Sequence, residues 1–236
     1  MAAAWKRVKA NKGSAGVDGR TLQARAEYLK REWPRIRHRG HRFVRYADDS
    51  NVYVKSLRAG QRVLAALRCG YTKLGLRINE AKTAVAEAWE RKFLGYRLLR
   101  DSKGRVKLGV AHQSLQRCKR RIRELTRVTV SRSLEQVIRD LRGYIPGGRQ
   151  YYRPVQTPTV LLALDRWVRT RLRVLQLMQW RRGPAIYRAV RHLGGSEELA
   201  ARIASGTQSR WRTARQGLNR VLTNAYFDRH GVPKFS

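Results

Sequence analysis

Two adjacent carboxylates are the first residues in this chain whose placement suggests chemistry. Asp48 and Asp49 close the run Phe43-Val44-Arg45-Tyr46-Ala47-Asp48-Asp49. Carboxylates held side by side on a tight turn can bind Mg2+, a hard cation that takes oxygen ligands and only a few of them from protein. In two-metal phosphoryl transfer such ions clamp the attacking and leaving oxygens. Aspartate also forms turns for backbone reasons alone. Asp48 and Asp49 therefore stand as candidate ligands of one weakly held Mg2+, or as a structural turn.

Arginine is the second chemical signal. The 236 residues include 53 Lys+Arg against 16 Asp+Glu, a formal net charge of +37. Such an excess repels itself in a compact fold and calls for a polyanionic partner. Most of it is arginine, whose planar fork grips phosphate bidentately and stacks on bases. A surface selected only for solubility mixes both signs, so the composition points to a polyanion, with a nucleic acid first and a membrane surface as the other to consider. No apolar run approaches the ~20 residues of a membrane span, so no membrane partner is expected. The N-terminus lacks the apolar core of a signal peptide, although its charge is also that of a mitochondrial-type leader. Cys69 and Cys118 have no metal-ligand spacing and fit a reduced, cytoplasmic setting.

The elements that must position these groups follow from periodicity. Residues 5–12 and 21–37 have helical spacing, separated by the turn-rich Asn11-Lys12-Gly13-Ser14-Ala15-Gly16-Val17-Asp18-Gly19. Residues 41–56 place β-branched and aromatic residues on both sides of the Asp48-Asp49 turn, which predicts a β-hairpin. Residues 59–74 predict a helix, and Leu74–Asn79 alternates as a strand. Residues 92–108 predict a second hairpin, turning at Asp101-Ser102-Lys103-Gly104. Beyond a composition break near 110 the chain reads as helical. Ser114–Arg127, Ser133–Tyr144 and Thr159–Trp180 are the clear helices, the second opened by a capping box of Ser133 and Gln136.

This helical part concentrates charge, with 19 Lys+Arg between residues 110 and 195 against the acids Glu124, Glu135, Asp140 and Asp165. Leu164, Val168 and Leu172 form an apolar stripe, and arginines occupy the remaining faces. Such a helix packs on one side and meets phosphates on the other. Trp167 and Trp180 read first as core anchors and second as stacking platforms for bases.

Four blocks, in order, give the chain a close resemblance to group II intron reverse transcriptase/maturases. Asn11 through Gly19 is similar to the N-terminal extension motif of that family, and Phe43 through Asp49 resembles its polymerase palm hairpin. Leu76-Arg77-Ile78-Asn79-Glu80-Ala81-Lys82-Thr83 and Phe93-Leu94-Gly95-Tyr96 resemble the two palm segments that follow. Leu141-Arg142-Gly143-Tyr144 through Arg173, with Gln179-Trp180, resembles the thumb and maturase-specific region, and Asn224-Ala225-Tyr226-Phe227 looks typical of the bacterial branch. The chain also departs from the family. Glu32-Trp33-Pro34-Arg35-Ile36-Arg37 runs almost directly into Arg39-Gly40-His41-Arg42-Phe43, with a junction near His38. In the family that interval holds most of the fingers, the nucleotide pocket and another catalytic aspartate. Ser50 stands where the family usually has a hydrophobic residue.

The resemblance implies an α+β fold: a small remnant palm of β-hairpins with helices, then an all-helical thumb/maturase region. Its parts would be an N-terminal extension (1–38), the remnant palm (39–110), the thumb/maturase helices (111–185) and a basic C-terminal region (186–236). The expected function is a maturase-like protein that binds and stabilises a structured group II intron-type RNA in a ribonucleoprotein, without polymerase activity. The alternatives are a minimal or split reverse transcriptase completed by a partner chain, and a remnant with only non-specific RNA affinity. Expected RNA contacts are Lys12, Arg117, Lys119, Arg120, Arg121, Arg166, Arg169, Arg171, Arg173, Arg181 and Arg182. Asp48 and Asp49 are relict catalytic candidates. The protein itself requires no cofactor on this reading, and Mg2+ serves the RNA. Further expected partners are a DNA target reached through the RNA and a second copy of the chain, in a bacterial cytoplasm. His192 and His230 are isolated from any Cys pair, so no HNH-type nuclease is expected, and both read as surface residues.

Overall fold

The computed structural model describes residues 40–46, 49–73, 75–127, 132–206 and 209–236. The chain divides into two compact units, Met1–Phe93 and Leu94–Ser236. The architecture is α+β, with small antiparallel sheets and a helical C-terminal region.

In the first unit, strands β1 (Arg42–Tyr46) and β2 (Asp49–Tyr53) form the expected antiparallel hairpin, with Phe43 opposite Val52 and Tyr46 opposite Asp49. Helix α1 (Leu57–Lys73) follows, its first turn tied by the Ala59 N–H donating to the Ser56 hydroxyl at 3.2 Å. Gly60 is buried there, and a Cβ on it would lie 2.5 Å from Val85.

The strand expected over Leu74–Asn79 does not form among the described residues of that segment. Gly75 has φ +68° and its N–H bonds the Thr72 carbonyl at 2.9 Å, while the Leu76 N–H reaches back to Tyr71 at 2.8 Å. This is a Schellman ending, in which the first backbone donors past the helix satisfy its last carbonyls. Those donors are thereby lost to any strand ladder. Asn79 then folds a turn, accepting from the Lys82 N–H at its side chain and its carbonyl. A short strand, β3 (Lys92–Phe93), ends the unit.

The second unit opens with the hairpin of β4 (Tyr96–Arg100) and β5 (Val106–Val110), in register from Tyr96–Val110 to Arg100–Val106. Asp101 builds its turn, one carboxylate oxygen accepting from the Lys103 and Arg105 N–H groups at 2.9 and 2.8 Å. The backbone bond from Arg105, followed by the Arg105 and Lys107 side chains, holds the Asp101 carboxyl below its usual range.

The helices are α2 (His112–Leu125), α3 (Leu134–Tyr152), α4 (Pro158–Trp180), α5 (Gly183–His192), α6 (Glu197–Ala204), α7 (Arg210–Gln216) and α8 (Asn224–Arg229), with a 3-10 turn at Leu218–Arg220. The Ser133–Gln136 capping box opens α3 as expected. That helix runs past the expected end at Tyr144 and through Pro146. Burial of Ile138, Leu141, Ile145 and Tyr152 along one face keeps both halves on the core.

The divide between units falls before residue 110 because the β4–β5 hairpin belongs with the helices. Gln156 clamps Leu108 through its N–H and its side-chain oxygen, at 2.8 and 2.9 Å. Nor do residues 186–236 stand apart. Ile186, Val190, Leu199, Ile203, Leu218, Leu222 and Phe227 share one core with Ile122, Leu141, Leu164 and Leu172.

Candidate nucleic-acid interface

Helix α2 sorts its residues by the 3.6-residue period. Ser114, Cys118 and Ile122 point inward, which leaves Arg117, Arg120 and Arg121 exposed, Arg121 beside Glu124 at 2.9 Å. The inward Cys118 thiol is pushed up by burial. On α4, Leu164, Val168, Leu172 and Leu175 are at most 1% exposed and form the expected apolar stripe. Arg166 is exposed. Arg181 and Arg182 are exposed just beyond α4, where the backbone turns sharply through Arg181 at φ +63°.

Arg169 and Arg173 overturn the expectation that they meet RNA, being only 5% and 6% exposed. Both are committed to the C-terminal segment. Arg169 donates to the Asp228 carboxylate at 2.8 Å. Arg173 donates to the Leu222 carbonyl at 2.8 Å and to Asn224 at 3.3 Å, and its guanidinium lies 5.3 Å from the Phe227 ring centroid. Burial, reinforced by the charge of Arg169, lowers the Arg173 pKa to about 10. Asp165 completes this side of the helix, accepting the Phe235 and Ser236 N–H groups at 2.8 and 3.1 Å. These guanidiniums donate to a carbonyl, an amide oxygen and a carboxylate of the C-terminal segment and so seal chain segments together, the several donors of arginine serving here in place of phosphate binding.

Arg171 has a different setting. It is half-buried and donates through Nε to Thr126 at 2.7 Å. It shares the Trp167 ring with two cations from α2, Lys119 and Arg123, at 5.5 to 5.8 Å from the centroid. Burial, then repulsion from Arg123, lowers the Arg171 pKa. Trp167 and Trp180 are half-buried against the core. The sequence reading missed Arg123. Its signal was the i,i+4 step from Lys119, matched on α4 by the same step from Trp167 to Arg171.

In the first unit, Asp49 is exposed at the start of β2, opposite Tyr46, which is also exposed. Asp48 and Lys12 lie outside the described residues. Among the described residues, no group of three or more His, Cys, Asp or Glu could hold a metal ion, and no helix is long and apolar enough to cross a membrane. His192 is exposed. His230 is not the free surface residue expected: it is half-buried, stacked on Tyr226 with centroids 4.1 Å apart and bonded at Nδ1 to the Tyr226 carbonyl.

The Asp228 carboxylate gives a pH prediction. It is held below its ordinary value first by the hydrogen bond from Lys234 and then by that from Arg169. A carboxyl with a depressed folded-state pKa stabilises the fold above its unfolded value, and that contribution disappears as pH falls through the folded one. Thermal unfolding followed from pH 7 down to pH 3 should show a stability loss beginning near the ordinary aspartate range, about pH 4. Asp228→Asn should lack that component. An identical pH profile for the two proteins would contradict the assignment.

Two comparisons with known families fall on these segments. Residues 21–98 match the family described as Reverse transcriptase (RNA-dependent DNA polymerase). Residues 115–194, which run from α2 to just past α5, match the Group II intron, maturase-specific domain. No curated protein matches the chain.

Proposed function

We propose that this chain, which belongs to the group II intron reverse transcriptase/maturase family in partly truncated form, binds and stabilises a structured RNA of the group II intron type and does not copy it. The observation that supports this most directly is the coincidence of the maturase-specific segment with exposed arginines that acids do not offset. The unit Leu94–Ser236 has 31 Lys+Arg against 8 Asp+Glu. Of the acids, Asp165 holds the chain terminus and Asp101 a turn, while Asp228 and Asp140 pair with Arg169 and Arg132. Glu124 pairs with Arg121, and the remaining exposed arginines of α2 and of the end of α4 are thus left to neutralise phosphate, the dominant source of affinity for nucleic acid.

The copying function is the part this reading gives up. The interval between Trp33 and Phe43 is too short for fingers and a nucleotide pocket, and positioning of substrate supplies much of the rate in phosphoryl transfer. The RNA would do the chemistry, and the protein would supply charge and shape.

The test is binding to a structured group II intron-type RNA at physiological salt in the presence of excess competitor RNA, where specific complexes persist and non-specific ones dissociate. Complete displacement by competitor would refute a specific maturase-like role. Exchange of Asp48 and Asp49 together for Ala should leave RNA binding, and any RNA splicing the complex supports, within about twofold of wild type. Loss of that RNA-level activity in a folded double variant would show that the carboxylates do work the proposal denies them.

A further inference from the structure

The geometry points to a dedicated RNA phosphodiester site where Lys119 and Arg123 of α2 and Arg171 of α4 converge on Trp167. This rests on the RNA-binding reading above and assigns a particular set of side chains to one phosphate. Lys119 Nζ and the guanidinium carbons of Arg123 and Arg171 lie 5.8, 5.5 and 5.5 Å from the same indole centroid, and Arg123 is near enough to Arg171 for their charges to repel. None of them forms an ion pair among the described residues. The nearest acid in sequence, Glu124, is turned to Arg121.

An indole face attracts cations through its quadrupole but has no net charge to cancel three of them. The fold nevertheless holds the cluster in place. Trp167 packs on the core, and Arg171 is fixed by its Nε bond to Thr126, itself 2% exposed and bonded to the Ile122 carbonyl. That anchoring leaves the two terminal nitrogens of Arg171 without a hydrogen-bond partner among the described residues, the fork that phosphate oxygens accept in pairs. The Arg171 pKa is lowered first by burial and then by the charge of Arg123. An anionic group seated among the three would relieve their mutual repulsion. The arginine-rich, acid-poor surface around it favours a phosphodiester within a long polyanion over a lone ion.

The experiment compares the full chain with Lys119→Gln/Arg123→Gln, which changes only side chains with no hydrogen bond among the described residues. A charge-matched control, Arg97→Gln/Arg202→Gln, removes two exposed cations elsewhere. Affinity for a structured group II intron-type RNA is measured between about 50 and 200 mM salt. The cluster variant should bind about tenfold or more weakly, with a salt slope shallower by about 0.7 to 0.9, the effect of one lost phosphate. The control should change far less. In parallel, the part of the tryptophan emission change on RNA addition that disappears in Trp167→Phe should also disappear in the cluster variant.

Equal losses in cluster and control variants would overturn the site and leave general RNA binding intact. So would wild-type affinity and slope in the cluster variant. Displacement of the RNA by an equal concentration of DNA duplex of the same sequence would overturn the assignment to RNA. Inorganic phosphate that raises the melting temperature of wild type but not of the cluster variant, with the RNA slope unchanged, would reduce the site to one for free phosphate. Absence of any competitor-resistant RNA binding by wild type would end both this inference and the function on which it rests.

Discussion

Asp165→Ala should destabilise the unit Leu94–Ser236 by about 2 to 5 kcal/mol, because two backbone donors lose their acceptor at once. Asp165 is 5% exposed, and its two oxygens accept from Phe235 and Ser236, 70 residues and more along the chain. The aromatic ring it helps to seat is 2% exposed and packs so closely on α3 that a Cβ on Gly148 would lie 2.7 Å from it. Phe235→Ala alone should cost about 3 to 5 kcal/mol from lost burial and the cavity left behind. Since both substitutions release the same segment, their effects should not add. The double variant should be little worse than the poorer single one, so the coupling is about as large as the smaller single effect. Asp165→Asn keeps one carbonyl acceptor and should fall between wild type and Asp165→Ala. Denaturant midpoints measure wild type and the four variants. Additivity, or an unchanged midpoint for Asp165→Ala, would mean that the terminal segment is not clamped as described.

The same helix shows what could be read in the sequence and what could not. Leu164, Val168 and Leu172 lie at i, i+4 and i+8, a local regularity that one sequence displays, and all three are buried. Asp165, Arg169 and Arg173 have the same spacing one residue further on, and there polarity suggested solvent. They are buried because α4 is covered on a second side by the segments after Gly217, whose carbonyls and amides they bond. Partners some 50 to 70 positions distant leave no trace in local periodicity. The one clue was Asp165 itself, a lone acid in an arginine-rich helix, next to the apolar stripe.

The hairpin at Asp49 and the capping box at Ser133 were legible for the opposite reason, since turns and caps are decided by residues within a few positions of each other. Leu74–Asn79 misled because strand-like alternation was outweighed by a glycine free to take φ +68° and end α1. The arginine excess was legible as composition. Its division into exposed arginines and buried structural ones was not, because composition does not see burial.

That division makes the last prediction the sharpest. Arg117→Gln/Arg120→Gln/Arg166→Gln removes three exposed charges from α2 and α4. Surface substitutions of this kind change stability by only about 0.5 kcal/mol each. If each arginine neutralises one phosphate, the salt slope should shrink by about 2 to 3 in total. At about 1.4 kcal/mol or more per charge-assisted contact, affinity for a structured group II intron-type RNA should fall by about 1,000-fold or more. Arg169→Gln/Arg173→Gln should do the reverse. The Leu222 carbonyl and the Asp228 carboxylate would lose their donors, and the unfolding midpoint should drop. The molecules that remain folded should bind RNA with nearly the wild-type slope, since neither guanidinium reaches the surface. Binding isotherms at several salt concentrations, corrected for the folded fraction from circular dichroism, separate the two outcomes. A triple variant that keeps its slope would remove α2 from the interface. A fall in slope for folded Arg169→Gln/Arg173→Gln would show that the buried pair reaches phosphate after all, through an opening of the C-terminal segment.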